Sequence, residues 1–419
     1  MRVLVITARG LRADYLGCYG NPRVETPALD GLAAGGIVFD RHFADAADPA
    51  GARRSWRSGR YLFPGTGPPP GSPDLVTLLN ARGVATCLIE DASRTVPPGF
   101  NSGWQTAETV EPNDSETPLE SAVAAARAAL LRLRRSESWL IWLDVATPLP
   151  PWDVPEDFAG HYFRDEVLDD EEDEEDEEGL DVELEPLTPL PDPPLGPVDA
   201  EDDTLYLRIQ GSYSAAVTYF DAGLAELLRN VEDDVAVLVT SDAGFALGEH
   251  GFVGPGLTWP AESVTQLPLV VRLPAGSEAG RRVPALTQAV DLAPTLAALF
   301  GVDFPVAHGH DLAPLIHGKA DSIRPYAVSW ITVGDKIGRA LRSPEWSFIL
   351  PPADAGEVVP HLYARPDDHW EVNDVRQHHL ELTEAWEPVL REFESAAGRP
   401  GALDVPALPD PEAVQATSG

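Results

Sequence analysis

Cysteine is scarce in this chain, cationic residues are heavily outnumbered, and long apolar runs are missing. Two cysteines in 419 residues, Cys18 and Cys87, make no disulfide framework, so buried free thiols are expected. Thirty Lys and Arg stand against 68 Asp and Glu, a net charge of −38. That balance argues against nucleic acid or an anionic membrane as partner. No apolar run approaches the length of a membrane span. No basic segment followed by a long apolar one precedes the first strand, so no signal peptide is read. The expectation is a soluble, cytoplasmic protein. A P-loop, a dinucleotide fingerprint and internal repeats are also missing. His308, His310, His378 and His379 lack metal-ligand spacing and read as surface or packing residues.

What is present suits one large α/β domain with a smaller companion. Short β-branched apolar runs over 3–7, 37–43, 84–89, 139–145 and 235–240 read as strands buried on both faces of a parallel sheet. Between them lie helical patterns over 26–35, 75–82, 119–134 and 205–230. In the third, Glu120 comes early and arginines late, as the helix dipole favours. Beyond 318 the pattern turns to short antiparallel strands over 326–331, 336–341 and 346–350, then a helix over 380–397. The fold class expected is α/β: a central, mostly parallel sheet flanked by helices, with a small C-terminal α+β subdomain. The domain limits read are 1–318, 319–397 and a flexible tail over 398–419. Within the first, 163–203 reads as a disordered insertion. It packs about fifteen acids between Asp165 and Glu185 and is then proline-rich, with too little apolar surface to offset chain entropy. The alternative is an acidic arm that binds a basic protein partner.

The opening stretch, RVLVITARGLRADYLGCYG, carries the strongest signal. Ligands of open α/β sheets sit beyond the carboxyl ends of strands, where Ala8, Arg9 and Gly10 fall. Leu11-Arg12, Leu16-Gly17-Cys18-Tyr19-Gly20 and Thr26-Pro27-Ala28-Leu29-Asp30 together resemble the opening of the sulfatase family, within the alkaline-phosphatase-like hydrolases. Further resemblances follow in order: Arg53 with Ser58-Gly59-Arg60, Pro151-Trp152, Tyr219-Phe220-Asp221, Ser241-Asp242, and Gly248-Glu249-His250-Gly251. They cover most of 1–395 apart from the insertion. A looser one is the turn within HLYARPDDHWEVN, 361–373.

The resemblance implies a metal-dependent sulfuric ester hydrolase, and the residues implied for its chemistry are mostly replaced. Arg9 and Gly10 stand where the family has two metal-binding aspartates. Pro49 stands on the nucleophile position, normally a Cys or Ser oxidised to formylglycine. Glu90 and Asp91 open the segment where a Lys and a His would contact the sulfate. Leu149 replaces a His, Ala243 the Asn or His beside Asp242, and Pro255 a Lys. Arg53 and Asp242 remain. One aspartate is not a metal site, so the family's calcium or magnesium is expected to be lost and no cofactor is implied. The vestigial pocket comprises Arg9, Pro49, Arg53, Asp242 and His250. Within it Arg9 is expected to pair with Asp242 in the metal's stead. The reading is an inactive sulfatase-like protein serving as a binding or scaffolding module. One alternative is a divergent hydrolase of a sulfate or phosphate ester, or one of metal-independent chemistry using Asp242, His250, Asp91 and Glu90 as acid or base. The other is partner binding through the acidic run.

Overall fold

The computed structural model describes residues 1–65, 67–69, 71–92, 99–111, 116–163, 187–255, 259–352 and 359–411. Its first strands are β1 (Arg2–Ala8), β2 (Ile37–Phe43), β3 (Ala85–Asp91), β4 (Thr106–Val110) and β5 (Trp139–Val145). After them come β6 (Gly196–Pro197), β7 (Val235–Thr240), β8 (Ala246–Leu247) and β9 (Phe252–Gly254). Next are β10 (Gln266–Leu267), β11 (Leu269–Arg272) and β12 (Arg281–Gln288). The last are β13 (Ala327–Val333), β14 (Lys336–Arg342), β15 (Trp346–Leu350) and β16 (His361–Ala364). The main sheet has nine strands in the order β10-β2-β11-β7-β1-β5-β3-β4, with β12 also on β2. The block from β7 to β4 is parallel, while β11 runs antiparallel to both β7 and β2.

Side-chain alternation along β1 builds two cores at once. Leu4, Ile6 and Ala8 join a layer with the helices Pro27–Ala34, Pro118–Leu133 and Asp203–Leu228. Val3 and Val5 join the opposite layer with Pro49–Ser58, Leu75–Ala81 and Leu292–Leu299. This is why the central strands read as unbroken apolar runs. Helix starts follow local chemistry. Asp48, Asp74 and Asp202 each cap a helix by accepting a backbone N–H, and Thr117 forms a capping box with Glu120. The strands β13 to β16 form an antiparallel sheet. It shares a third core with the helix Leu380–Ala397 and docks on the main body through backbone bonds of Trp330 to Asp45 and Ala47. No helix among the described residues is long and apolar enough to cross a membrane.

Two expectations of looseness are corrected. The acidic run lies outside the described residues, but 187–203 is packed rather than disordered. The Leu190 N–H donates to Ser212 Oγ at 2.8 Å, Pro191 O accepts from the Trp152 N–H at 2.8 Å, and β6 pairs with β9. Proline cannot donate to a ladder, yet its carbonyl still accepts. The tail is likewise tied down as far as 408. Arg60 donates to the carbonyls of Arg399 and Gly401 at 2.9 and 3.0 Å, Tyr326 Oη donates to Pro406 O, and Leu403 and Leu408 pack on the third core. Residues 412–419 lie outside the described ones. Strand β4 carries no sequence signal because four of its five residues are exposed and polar or small.

Candidate functional site

Parallel register brings the carboxyl ends of β1, β5, β7 and β3 to one edge. Thr7 is level with Asp144 and Thr240, and Glu90 with Asp144. Arg9 and Gly10 follow β1, and Ser241 and Asp242 follow β7. The helix Pro49–Ser58 points its first turn at this edge. Pro49 occupies the N1 position, which suits a residue with no N–H to satisfy. Arg53, one turn on, faces inward and is 2% exposed.

The result is a closed ion cluster. Arg9 Nη2 donates to Asp144 Oδ2 at 2.9 Å. Arg53 Nη2 donates to the same oxygen at 2.5 Å, while its Nη1 donates to Asp242 Oδ2 at 3.0 Å and to Pro49 O at 2.8 Å. The other Asp144 oxygen accepts from Thr7 Oγ1 at 2.8 Å, and Trp142 Nε1 donates to that hydroxyl. Asp242 Oδ1 accepts the N–H of Gly10 at 3.3 Å and of Ala243 at 2.9 Å. The Arg53 guanidinium also lies over Trp56 and Phe100. Arg9, Arg53, Asp144 and Asp242 are each at most 2% exposed.

The electrostatics follow from this geometry. Burial would push the Asp144 carboxyl up, but the charges of Arg53 and Arg9 outweigh it and hold the pKa below the usual range. Burial likewise opposes the Arg53 charge, and Asp144 and Asp242 overcome it, so its pKa is raised. Glu90 is the outlier. Burial first, then the Asp144 charge, lift its pKa to about 7 against the pull of Arg53 and Arg9. Its Oε1 is buried without a hydrogen-bond partner among the described residues.

The expected pairing of Arg9 with Asp242 is therefore corrected. Arg9 bridges Asp144, and it is Arg53, approaching from the helix, that reaches Asp242. Asp144 was missed as a site residue. Its signal was a lone acid in the otherwise apolar run WLIWLDV. His250 is not brought to the cluster. It is exposed, at φ +56°, with its ring edge-on to Trp259. Ser55 faces away, donating to Asp45 at 3.0 Å. Of the other arginines on this helix and just past it, Arg57 pairs with Asp74 and Arg60 is buried, while Arg54 is exposed.

Sterics also close position 10, where the resemblance implies an aspartate. A Cβ on Gly10 would stand 2.4 Å from Leu149 Cδ2 and 3.7 Å from Phe245 Cβ. Leu149 thus takes room that a side chain at position 10 would need. The donor set does not fit a divalent cation. Two carboxylates face two guanidiniums, and among the described residues no group of three His, Cys, Asp or Glu could hold a metal ion.

Comparison with known proteins agrees with the fold. A family model described as Sulfatase matches residues 2–302. The N-acetylglucosamine-6-O-sulfatase of Bacteroides thetaiotaomicron is 32% identical over 120 residues, 27% of this chain and 21% of that protein. The steryl-sulfatase of Mus musculus is 26% identical over 423 residues, 76% of this chain and 65% of that protein. The chain thus covers less than two thirds of either relative. The crystal structure of the phosphonate monoester hydrolase of Agrobacterium radiobacter shares the fold, with a TM-score of 0.70 at 17% identity over 94% of this chain and 96% of that one.

Proposed function

The chain belongs to the sulfatase family, and from that premise we propose that it hydrolyses neither sulfate nor phosphate esters and uses the fold as a binding or scaffolding module. The observation carrying this reading is the closed cluster of Arg9, Arg53, Asp144 and Asp242 at the strand ends. Its guanidiniums would repel a dication: at about 4 Å and an effective dielectric near 20, a unit-charge pair repels by roughly 4 kcal/mol and a dication by about twice that. Pro49 has no side-chain nucleophile. The retained residues serve architecture. Arg12 bridges Asp14 and Glu249, and Asp221 accepts the N–H groups of Ala28 and Leu29 at the start of a helix.

The test is an assay of 4-nitrophenyl sulfate and phosphate with and without added calcium or magnesium, with metal analysis of the same sample. No turnover is expected. Turnover that requires the metal and vanishes on Arg53→Ala overturns the reading.

A second reading, metal-independent chemistry, is favoured by Glu90, whose unpartnered oxygen and raised pKa suit a general acid. It requires a substrate turned over by the parent and not by Glu90→Gln. Partner binding through 165–185 is tested by capture of a basic protein that disappears when the run is deleted. A cytoplasmic location fits the two free cysteines, Cys18 and Cys87.

A further inference from the structure

A cavity of about 700 Å³, lined by none of the four residues of the closed cluster, lies between the loop after β1, the helix Asp203–Leu228 and a loop of the C-terminal subdomain. Four aromatic residues line it: Tyr15, Tyr19, Tyr162 and Trp370. Two of the tyrosine hydroxyls are engaged in the protein. Tyr19 Oη donates to Phe39 O at 3.0 Å and accepts from the Leu269 N–H at 2.8 Å. Tyr162 Oη meets Thr218 Oγ1 at 2.6 Å and accepts from the Glu25 N–H at 3.1 Å. What these side chains offer the cavity is ring. Tyr15 already holds a cation, the Arg12 guanidinium, 5.2 Å from its centroid.

Two carboxylates share this wall. Asp14 and Glu249 are 27% and 25% exposed, and Arg12 bridges them at 2.6 Å each. With Arg23 the lining holds two arginines and two acids, but Arg12 is 1% exposed, so beside it the wall turns carboxylate rather than guanidinium to the cavity. Burial, with Arg12 overcoming it, leaves the Glu249 carboxyl below the usual range. The other charged or titratable lining groups are Arg23, and His369, whose pKa burial and then Arg365 lower.

The loop that presents Trp370 is held firmly. Arg365 pairs with Glu262, and Glu371 accepts from Arg342 Nη2 at 3.0 Å, Ser347 Oγ at 2.8 Å and the Glu262 N–H at 2.9 Å. Glu371 is 2% exposed at φ +54°, a strained position for a side chain of its kind. Beside it Trp370 remains 47% exposed. A tryptophan held out to solvent at the mouth of a cavity, next to a strained and ion-paired neighbour, has the geometry of a contact residue.

We propose that this cavity binds a small organic ammonium compound, its alkylated head against the tyrosine and tryptophan rings and its charge toward Asp14 and Glu249. The proposal stands whether or not the closed cluster is catalytically silent.

Choline is the probe, titrated into the full chain and followed by calorimetry and tryptophan fluorescence, with maltose and inorganic sulfate as neutral and anionic comparators. Choline is expected to saturate the protein, and the comparators are not. Trp370→Ala, at an exposed position, is expected to weaken choline binding roughly tenfold without lowering the melting temperature. A chain lacking 165–185 is expected to bind choline as the parent does. The proposal is overturned if choline does not bind, if Trp370→Ala leaves its affinity unchanged, if deleting 165–185 abolishes binding, or if maltose or sulfate saturates the protein in its place.

Discussion

Two buried arginine–carboxylate clusters divide the work of holding this molecule together, and they are built to different standards. The central one joins Arg9 and Arg53 to Asp144 and Asp242 at the strand ends. Both carboxylates there use both oxygens, with Thr7 and two backbone N–H groups filling the remaining places. The other joins Arg342 and Arg365 to Glu262 and Glu371 where the C-terminal sheet meets the main body. There the Arg342 Nε and Nη1 and the Glu262 Oε2 have no hydrogen-bond partner among the described residues, and the nearest approach of Arg342 Nε to Glu262 is 4.0 Å. Both clusters set two guanidiniums against two carboxylates, and the difference is in hydrogen bonding. Asp144 and Asp242 are fully partnered, while the seam leaves three polar atoms of its own members without a partner among the described residues, as Glu90 Oε1 is beside the centre. The central carboxylates are thus satisfied by guanidiniums, a hydroxyl and backbone N–H groups, whereas the cluster that joins two sheets tolerates orphaned groups among its members. Burying either pair need not add net stability, but removing one partner is costly.

The largest effect is expected from Asp144→Asn. It leaves two buried guanidiniums facing one carboxylate and should cost about 3–5 kcal/mol in urea unfolding. A loss under about 1 kcal/mol, typical of a surface change, would erase the distinction between centre and seam. Next is coupling across the centre. Arg53→Met should cost about 3 kcal/mol, and adding Asp242→Asn should restore 1–2 kcal/mol of it. Losses that simply add would show that the two groups are not acting as a pair.

The third test uses pH. Burial first, with Glu371 adding to it, lifts Glu262 from 4.5 to about 7 against Arg365 and Arg342. A carboxyl raised on folding leaves the native state holding more protons than the unfolded chain between those values. Stability should therefore fall as pH rises from about 4.5 to about 7 and level off beyond. Asp144, lowered on folding, works the other way: its contribution is present above the unfolded value of 3.8 and is lost as acid protonates it. Glu262→Gln should flatten the neutral-side fall in melting temperature by about 2–4 °C and leave the acid-side loss in place. Asp144→Asn should remove the acid-side loss. Because burial first and then the Asp144 charge raise Glu90 to about 7, it should take only a smaller part of the neutral-side fall with it. Equal responses from both variants would contradict the comparison. The smallest effect concerns metal: chelator or added calcium should move the melting temperature by less than about 1 °C, since an ion that does not bind the native state cannot stabilise it.

Much of the fold was legible in the sequence for a physical reason. Strands buried on both faces must be apolar throughout, so β1, β5 and β7 announce themselves, and capped helices mark their own starts. The exposed strand β4 and the packed 187–203 segment were not legible, because solvent and long-range contacts, not local pattern, decide them. At the site the sequence determined which side chains are available, a proline at 49 without a nucleophilic group and an arginine at 9 with a fixed charge. It could not choose partners. Arg9, Arg53, Asp144 and Asp242 lie on four separate elements, and only the parallel register of β1, β5 and β7, with the approach of the helix Pro49–Ser58, decided that Arg53 takes Asp242 and Arg9 takes Asp144. Likewise the sequence placed Trp370 in a recognisable turn, and only the docking of the C-terminal sheet set it at the mouth of a cavity 355 positions from Tyr15.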